Sequence, residues 1–202
     1  MTAPMPDPTV TTASHADRRP SAPGRLELVR QFLNTLDIEA EADDFATPVA
    51  LAAWLTERGL LPRGQRLSER DLAAAVELRE VLRDVLEGNA GHVVDDEARQ
   101  HLDRIADTVP LRLRLADGPR LDSNVRNGVA LAIGQLLAVI YEAMLIGTWE
   151  RLKVCHNDTC RWAFYDSSRN RSGAWCSMAI CGNRIKGRSF RRRHGGPMTA
   201  TA

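Results

Sequence analysis

Two short cysteine motifs decide the fold of the C-terminal part of this chain: CHNDTC at residues 155–160 and CSMAIC at residues 176–181. Each motif begins and ends with a cysteine, and 15 residues separate the two motifs. Because each pair lets a tight backbone turn present two sulfurs to one ion, two pairs supply the ligands of a tetrahedral structural zinc site. The sequence therefore predicts one Zn²⁺ held by Cys155, Cys160, Cys176 and Cys181.

Other interpretations of the four cysteines remain open at this point. Two disulfides would require an oxidising compartment, but no apolar signal segment follows a basic start, so we expect a reducing cytoplasm. Four free thiols or an iron–sulfur cluster also fit the count, although such clusters use other spacings. Since four thiolates leave no open coordination position, a zinc site here is expected to be structural, with His156 a bystander beside its ligand.

Large aromatic residues and a polar turn lie between the two cysteine pairs. Trp162, Phe164 and Tyr165 precede the polar stretch 166–173, and Trp175 follows it. This order predicts a small β-hairpin whose rings cover the zinc site, because a short module has few other residues for a core. Stacking of the rings on nucleic-acid bases is the alternative, and we favour the core.

The segment after the last cysteine is strongly basic, with six cations within ten residues. A helix beginning near Ser177 would expose these cations and bury Met178, Ile185 and Phe190. Such a helix is short enough to enter a major groove, where its cations contact phosphates. The predicted nucleic-acid-binding residues are Asn183, Arg184, Lys186, Arg188, Arg191, Arg192 and Arg193. A solvated basic tail, with RNA or an acidic protein as rival partners, is the alternative.

The charge of the chain is unevenly distributed along its length. Residues 151–202 hold 11 Lys and Arg against two acids, a net charge of +9, whereas residues 1–150 carry a net charge of −8. A net charge of +1 for the whole chain hides this split. Such asymmetry indicates that the basic part contacts nucleic acid or another anionic partner.

The region before the cysteines has the pattern of a helical domain. Apolar residues recur with helical spacing from Leu26 to Leu36, and the acidic residues 37–44 end that stripe. Thr47-Pro48 is typical of an N-cap followed by proline, and Ser68 with Asp71 is typical of a capping box. Helices are predicted at about 26–36, 47–59, 68–88, 95–107 and 125–149.

Two further features complete the predicted organisation. Alternating leucines and arginines at 111–115, followed by Asp117-Gly118, predict a strand, a turn and a weaker strand near Arg120. The apolar stretch 129–147 contains Gln135 and Glu142, so we expect a central core helix and no membrane span. The fold class is mainly α with a small β-hairpin (α+β). The expected parts are a disordered tail 1–23, a helical domain 24–150, a cysteine-bearing zinc module 151–194 and a disordered tail 195–202.

At the second cysteine pair the sequence resembles a known family. Trp175-Cys176-Ser177-Met178 and Cys181-Gly182-Asn183-Arg184 resemble the CGNR zinc finger, and the helical region before them resembles the ABATE domain. The resemblance implies a treble-clef-like finger in a stress-linked bacterial transcription regulator. It carries the four cysteines over as zinc ligands and residues 182–184 as the start of a DNA-facing segment. Many members have basic residues just before the Trp-Cys pair, where this chain has Gly173-Ala174.

Three classes of function compete. The first is a cytoplasmic DNA-binding regulator whose helical domain senses a ligand, a partner or a second copy of the chain in a homodimer. The second is a redox sensor that loses zinc on oxidation, helped by cations such as Arg161 and Arg184 near the thiols. RNA or protein binding shares the same charges. No nucleophile elbow, phosphate loop or dinucleotide motif is present, so we do not expect an enzyme.

Overall fold

The computed structural model describes residues 20–93, 96–116 and 118–194, with side chains described as far as Arg188. The predicted tails therefore lie outside the described residues, except for 20–23. The described residues form six α-helices and three two-stranded antiparallel sheets, which confirms the mainly helical fold. In chain order the elements are α1 (Leu26–Leu33), β1 (Leu36–Asp37), β2 (Ala42–Asp43), α2 (Pro48–Glu57), α3 (Glu69–Asn89), α4 (Asp96–Asp107), β3 (Leu111–Arg114), β4 (Arg120–Ser123), α5 (Gly128–Leu145), β5 (Leu152–Val154), β6 (Ala163–Tyr165) and α6 (Asn183–His194).

The predicted helix starts at α2 and α3 are confirmed by their hydrogen bonds. The Thr47 hydroxyl accepts a hydrogen bond from the Ala50 N–H at 3.2 Å, ahead of proline at the first helical position. Ser68 and Asp71 form the reciprocal capping box at the start of α3. These bonds satisfy N–H groups that have no partner within the helix.

The apolar helix α5 is the central element, as its sequence predicts. Ten of its residues are buried, and it packs against α1, α3 and β4. It is the one described helix long and apolar enough to cross a membrane, and in this fold over half of it is buried in the core. The helix ends at Leu145, earlier than predicted, and Trp149 belongs to a short 3₁₀ turn.

The first helix is shorter than its apolar stripe predicts, because two buried arginines of α3 bind the backbone that follows it. Arg83 donates hydrogen bonds to the carbonyl oxygens of Leu33 and Leu36, each at 2.7 Å. Arg79 donates to both carboxylate oxygens of Asp43, at 2.7 and 2.8 Å. The chain therefore leaves the helix at Leu33, and Leu36 lies in a hairpin, residues 36–43, that we call the acidic hairpin.

The predicted hairpin of residues 111–121 is confirmed, whereas the zinc-finger hairpin is not where the sequence places it. Strands β3 and β4 pair with Leu111 opposite Ser123. In the finger, β5 pairs with β6, so the hairpin encloses the first cysteine pair and not the polar stretch 166–173. Leu152, Val154 and Ala163 of this hairpin are buried in the main core, together with residues of the helices.

Candidate zinc centre and basic helix

The four predicted ligands converge on one point. Their sulfur atoms all lie within 4.8 Å of one another, and all four residues are buried. The Cys160–Cys176 and Cys176–Cys181 sulfur separations are both 3.6 Å. A tetrahedral ion with Zn–S bonds of about 2.3 Å requires sulfur separations of about 3.8 Å. The cluster fits one zinc ion, and none of its cysteines forms a disulfide.

Local hydrogen bonds shape the two turns that present these sulfurs. The Cys155 N–H donates to the Trp162 carbonyl at 3.0 Å, and the Cys160 N–H donates to the Asn157 carbonyl at 2.7 Å. Asn157 is completely buried, and its Nδ2 lies 3.8 Å from the Cys181 sulfur. Asn157 thus ties the first cysteine turn to the second. Sequence reasoning missed this residue, although asparagine is typical of such tight turns.

Crowding and burial control the protonation of the thiols. Hydrogen bonds from Cys160 and Cys176 lower the pKa of Cys155. A hydrogen bond to Cys155 raises the pKa of Cys160, and a hydrogen bond to Cys155 likewise raises the pKa of Cys176. Burial raises the pKa of Cys181. Because zinc binds cysteine as the thiolate, zinc binding must release protons from thiols whose pKa is raised.

The aromatic residues of the finger form a second core around the cysteines. Trp162 and Phe164 are buried in one cluster with the four cysteines, and Trp175 packs against it half-buried. The predicted core role of the finger's rings is therefore confirmed for Trp162 and Phe164. Tyr165 packs against the main core instead.

His156 lies beside a ligand but points away from the sulfurs. Its Nε2 is 2.7 Å from the carbonyl oxygen of Ala90, so this nitrogen donates to the helical domain. Its ring contacts those of His92 and Trp175. The metal cluster found among the described residues contains only the four cysteines. The geometry supports His156 as a bystander to the zinc.

The basic helix α6 begins directly after the zinc cluster. A wide π-helical turn, Met178–Gly182, carries Cys181 and leads into Asn183. Among the predicted nucleic-acid-binding residues, Asn183, Arg184, Lys186 and Arg188 are exposed. The side chains of Arg191, Arg192 and Arg193 lie outside the described part, as does that of Phe190.

Met178 does not pack inward as predicted. It is 52% exposed, and its sulfur packs against the glycine at position 182, where a Cβ would collide with it. Ile185, the other described residue of the predicted inner face, is half-buried. The predicted burial of Met178 assumed a regular helix from Ser177, and the wider turn shifts the direction of the side chains.

Two arginines of the finger are paired with acids of the helical domain. Arg184, in the first turn of α6, forms an ion pair with Glu39 of the acidic hairpin, and this bond raises the pKa of Arg184. Arg161 pairs with Asp84 at 2.6 Å and with Glu87 at 3.1 Å, both on α3. Sequence reasoning missed these acids, which are distant in the chain and carry no motif.

A four-cysteine zinc finger that follows a helical domain and ends in a basic helix defines the structural class of this protein. The CGNR zinc finger family matches residues 151–194. The ABATE family, described as "Putative stress-induced transcription regulator", matches residues 10–145, about two thirds of the chain. The chain belongs to the ABATE family and carries a CGNR zinc finger. No curated protein matches it.

Proposed function

We propose that this protein is a bacterial, cytoplasmic transcription regulator that binds duplex DNA through α6. The observation that carries the proposal is the attachment of an exposed cationic helix to a buried zinc cluster. Cys181 lies two residues before Asn183, so the metal fixes the start of the helix. A 12-residue helix is about 18 Å long, and its diameter of about 10–12 Å with side chains fits a major groove about 12 Å wide.

Charge supports this role for the finger. The segment 151–202 carries a net charge of +9, and Arg184, Lys186 and Arg188 of α6 are exposed. Arg184 pairs with Glu39, and Arg188 Nη1 lies 3.5 Å from Asn157 Oδ1. Each phosphate contact gives a salt dependence of about −0.9 in log K against log salt concentration. In this proposal zinc supplies folding energy, and Arg184, Lys186 and Arg188 supply electrostatic affinity. Asn183 is suited to contact an adenine edge.

The proposed role of the helical domain is to sense a ligand, a partner or a second copy of the chain and to change DNA binding in response. The Glu39–Arg184 and Asp84–Arg161 ion pairs support this role, because they join the helical domain to the finger. A shift of the acidic hairpin would therefore reach α6 through Arg184, and a shift of α3 would reach the first cysteine turn through Arg161. We propose no enzymatic activity for either part.

A redox sensor is less well supported by the geometry. The four cysteines are at most 3% exposed, and buried thiolates react slowly with oxidants. Arg161, one of the cations expected to activate a thiol, is bound by Asp84 and Glu87 instead. Retention of zinc at peroxide doses that oxidise small thiols would exclude the sensor. Release of zinc at those doses would favour it.

The test of DNA binding uses the full, zinc-loaded chain and genomic duplex fragments, with fluorescence anisotropy measured across a salt series. The triple variant Arg184→Gln, Lys186→Gln, Arg188→Gln removes three exposed cations of α6. We expect the slope of log K against log salt to fall by about 2.7 in magnitude. The matched control removes Arg112, Arg114 and Arg120 from the exposed β3–β4 hairpin and should leave the slope unchanged.

The outcomes separate the candidate partners. Binding that weakens with salt, prefers some fragments and is lost in the α6 variant supports the regulator. Equal loss in both triple variants indicates attraction to the overall charge and contradicts a role specific to α6. Competition by RNA at lower concentrations than duplex DNA would make RNA the partner. No binding at low salt by zinc-loaded protein would refute the proposal.

A further inference from the structure

The finger carries an exposed loop that the zinc site and α6 do not explain. We call residues 167–172, with the sequence SSRNRS, the finger loop. All of its residues are exposed except Ser168, which is half-buried. The loop therefore adds nothing to either core, although Arg171 adopts a left-handed backbone conformation with φ of 51°. A non-glycine residue in this region is strained and is often found at functional sites.

A buried carboxylate closes this loop. Asp166 is completely buried, and its two carboxylate oxygens accept hydrogen bonds from the backbone N–H groups of Ser168 and Gly173, at 3.0 and 2.7 Å. The approach is so close that a Cβ at Gly173 would lie 2.8 Å from the Asp166 carboxyl carbon. One carboxylate thus fixes both ends of the loop.

Two cations, Lys153 and Arg151, bind backbone carbonyl oxygens of the loop and its flanking residues. Lys153 is 4% exposed, pairs with Asp166 at 2.9 Å and donates to the carbonyl oxygens of Arg171 and Gly173. Arg151 donates to the carbonyl oxygens of Asp166 and Ser168, both at 2.9 Å. Burying an ion pair is a costly way to gain stability, so its best-attested use is to specify one conformation.

The two arginine side chains of this loop have no polar partner among the described residues. Neither Arg169 nor Arg171 forms an ion pair or a side-chain hydrogen bond with the described part of the chain. Other cations of the finger are engaged by protein: Lys153 by Asp166, Arg161 by Asp84 and Arg184 by Glu39. The finger therefore fixes the loop backbone at Ser168, Arg171 and Gly173, on both sides of Arg169, while no described residue engages the guanidinium groups of Arg169 and Arg171.

The loop leads directly to the basic helix. Trp175, two residues beyond Gly173, lies against the residue that precedes α6: a Cβ at Gly182 would be 3.3 Å from the Trp175 Cδ1 atom. The His156 N–H also binds the carbonyl of Ala174, which fastens the exit of the loop to the first cysteine turn. The loop and the start of α6 are therefore parts of one rigid unit.

We infer that the finger loop is a second phosphate-binding element, in which Arg169 and Arg171 contact the DNA backbone. The inference rests on the proposed DNA binding by α6 and adds a second contact to it. Guanidinium groups bind phosphate oxygens through paired hydrogen bonds, and a loop already held in place loses little entropy on binding. Lys153 and Asp166 are positioning residues that act on DNA binding only through the loop arginines.

The direct test is the double variant Arg169→Gln, Arg171→Gln in the full, zinc-loaded protein, assayed by anisotropy with duplex DNA over a salt series. Loss of two phosphate contacts should lower the salt slope by about 1.8 in magnitude and weaken binding about tenfold or more at physiological salt. The control Arg112→Gln, Arg114→Gln removes the same charge from the β3–β4 hairpin. An effect no larger than that of the control would overturn the inference.

The positioning role is tested by a double-mutant cycle. Lys153→Met should weaken DNA binding of the wild-type protein but have little further effect on the Arg169→Gln, Arg171→Gln variant. A general structural defect would weaken binding in both backgrounds equally and would refute the role. If Lys153→Met fails to fold or to retain zinc, the variant Gly173→Ala, whose Cβ displaces the Asp166 carboxylate, takes the place of Lys153→Met in the same cycle.

The inference and the proposed function fail in different ways. If the wild-type protein binds no DNA, both are wrong. If the wild-type protein binds and the α6 variant loses affinity, while the loop variant matches its control, only the loop inference is wrong. Loss of affinity in both variants, with unchanged zinc content and circular dichroism, supports both.

Discussion

Removing zinc should destabilise the helical domain as well as the finger. Chelation of the metal or Cys160→Ser disrupts the turn that joins β5 to β6, and this hairpin is part of the main core. Leu152, Val154 and Ala163 are at most 1% exposed and pack among residues of the helical domain. The helical domain would lose these neighbours when the hairpin unfolds.

The structure gives the size of this effect. Burial of Leu152 and Val154 contributes about 1.5–3 kcal/mol each, or about 3–6 kcal/mol together. Asn34 exchanges two hydrogen bonds with the backbone of Ala163, at 2.9 and 2.7 Å. Asn89 donates to the carbonyls of Trp149 and Leu152. At about 1 kcal/mol for each bond, these contacts bring the coupled free energy close to the total stability of a typical domain.

Thermal unfolding with and without zinc measures the coupling. Circular dichroism reports the helices, and in a variant with Trp149, Trp162 and Trp175 replaced by Phe, the fluorescence of Trp54, which packs against Phe32 and Phe45, reports the helical core. We expect one transition with zinc and a fall in the midpoint of about 15–40 °C without it, because each kcal/mol shifts the midpoint of a domain of this size by about 2–4 °C. Met178→Ala, a change at an exposed residue within the second cysteine motif, should leave the midpoint unchanged. A helical transition that is identical with and without zinc would refute the coupling.

Three further changes test contacts outside the zinc cluster. Glu39→Gln should release Arg184 and tighten DNA binding up to about fivefold at low salt, because exposed ion pairs contribute at most about 1 kcal/mol. Fluorescence anisotropy measures the change, and Asp44→Asn, which removes a nearby exposed acid, is the control. Arg79→Met removes the bidentate partner of Asp43 and should lower the free energy of unfolding by about 2 kcal/mol in urea. An unchanged urea midpoint would show that Arg79 does not stabilise the acidic hairpin. Burial raises the pKa of Asp166, but hydrogen bonds from Ser168, Lys153 and Gly173 outweigh it and hold that pKa below its ordinary value. Its contribution to stability is therefore full at neutral pH and is lost as the pH falls below about 4, so Asp166→Asn should flatten the acid side of a plot of urea midpoint against pH.

The features that the sequence predicts correctly are those decided by residues close together in the chain. The caps at Thr47 and Ser68 depend on hydrogen bonds that span three residues. The zinc ligands follow from spacing within two six-residue motifs, since sulfur chemistry permits few other uses of that pattern. The central helix α5 follows from its apolar composition alone.

The errors arise where distant residues compete with local preference. Leu36 continues the stripe of α1, yet Arg83, 47 residues later, takes its carbonyl oxygen. Arginine on a helix usually faces solvent, so nothing in the sequence marks Arg79 and Arg83 as buried. The sequence misplaces the finger hairpin for the same reason. The polar stretch 166–173 has turn composition, but in the structure it forms a loop beyond β6 whose first residue, Asp166, pairs with Lys153.

The acidic and basic parts of the chain form ion pairs with each other in the structure. The sequence indicates that the acidic and basic parts face different partners, but Glu39 and Asp84 of the acidic part bind Arg184 and Arg161 of the basic part. The helical domain therefore occupies some of the cations that a polyanion would use. In the proposed function, DNA phosphates would compete with Glu39 for Arg184, whereas no described acid pairs with the arginines of the finger loop. Binding to DNA would then depend on the position of the acidic hairpin, which Arg79 and Arg83 of α3 hold through Asp43 and the Leu36 carbonyl oxygen.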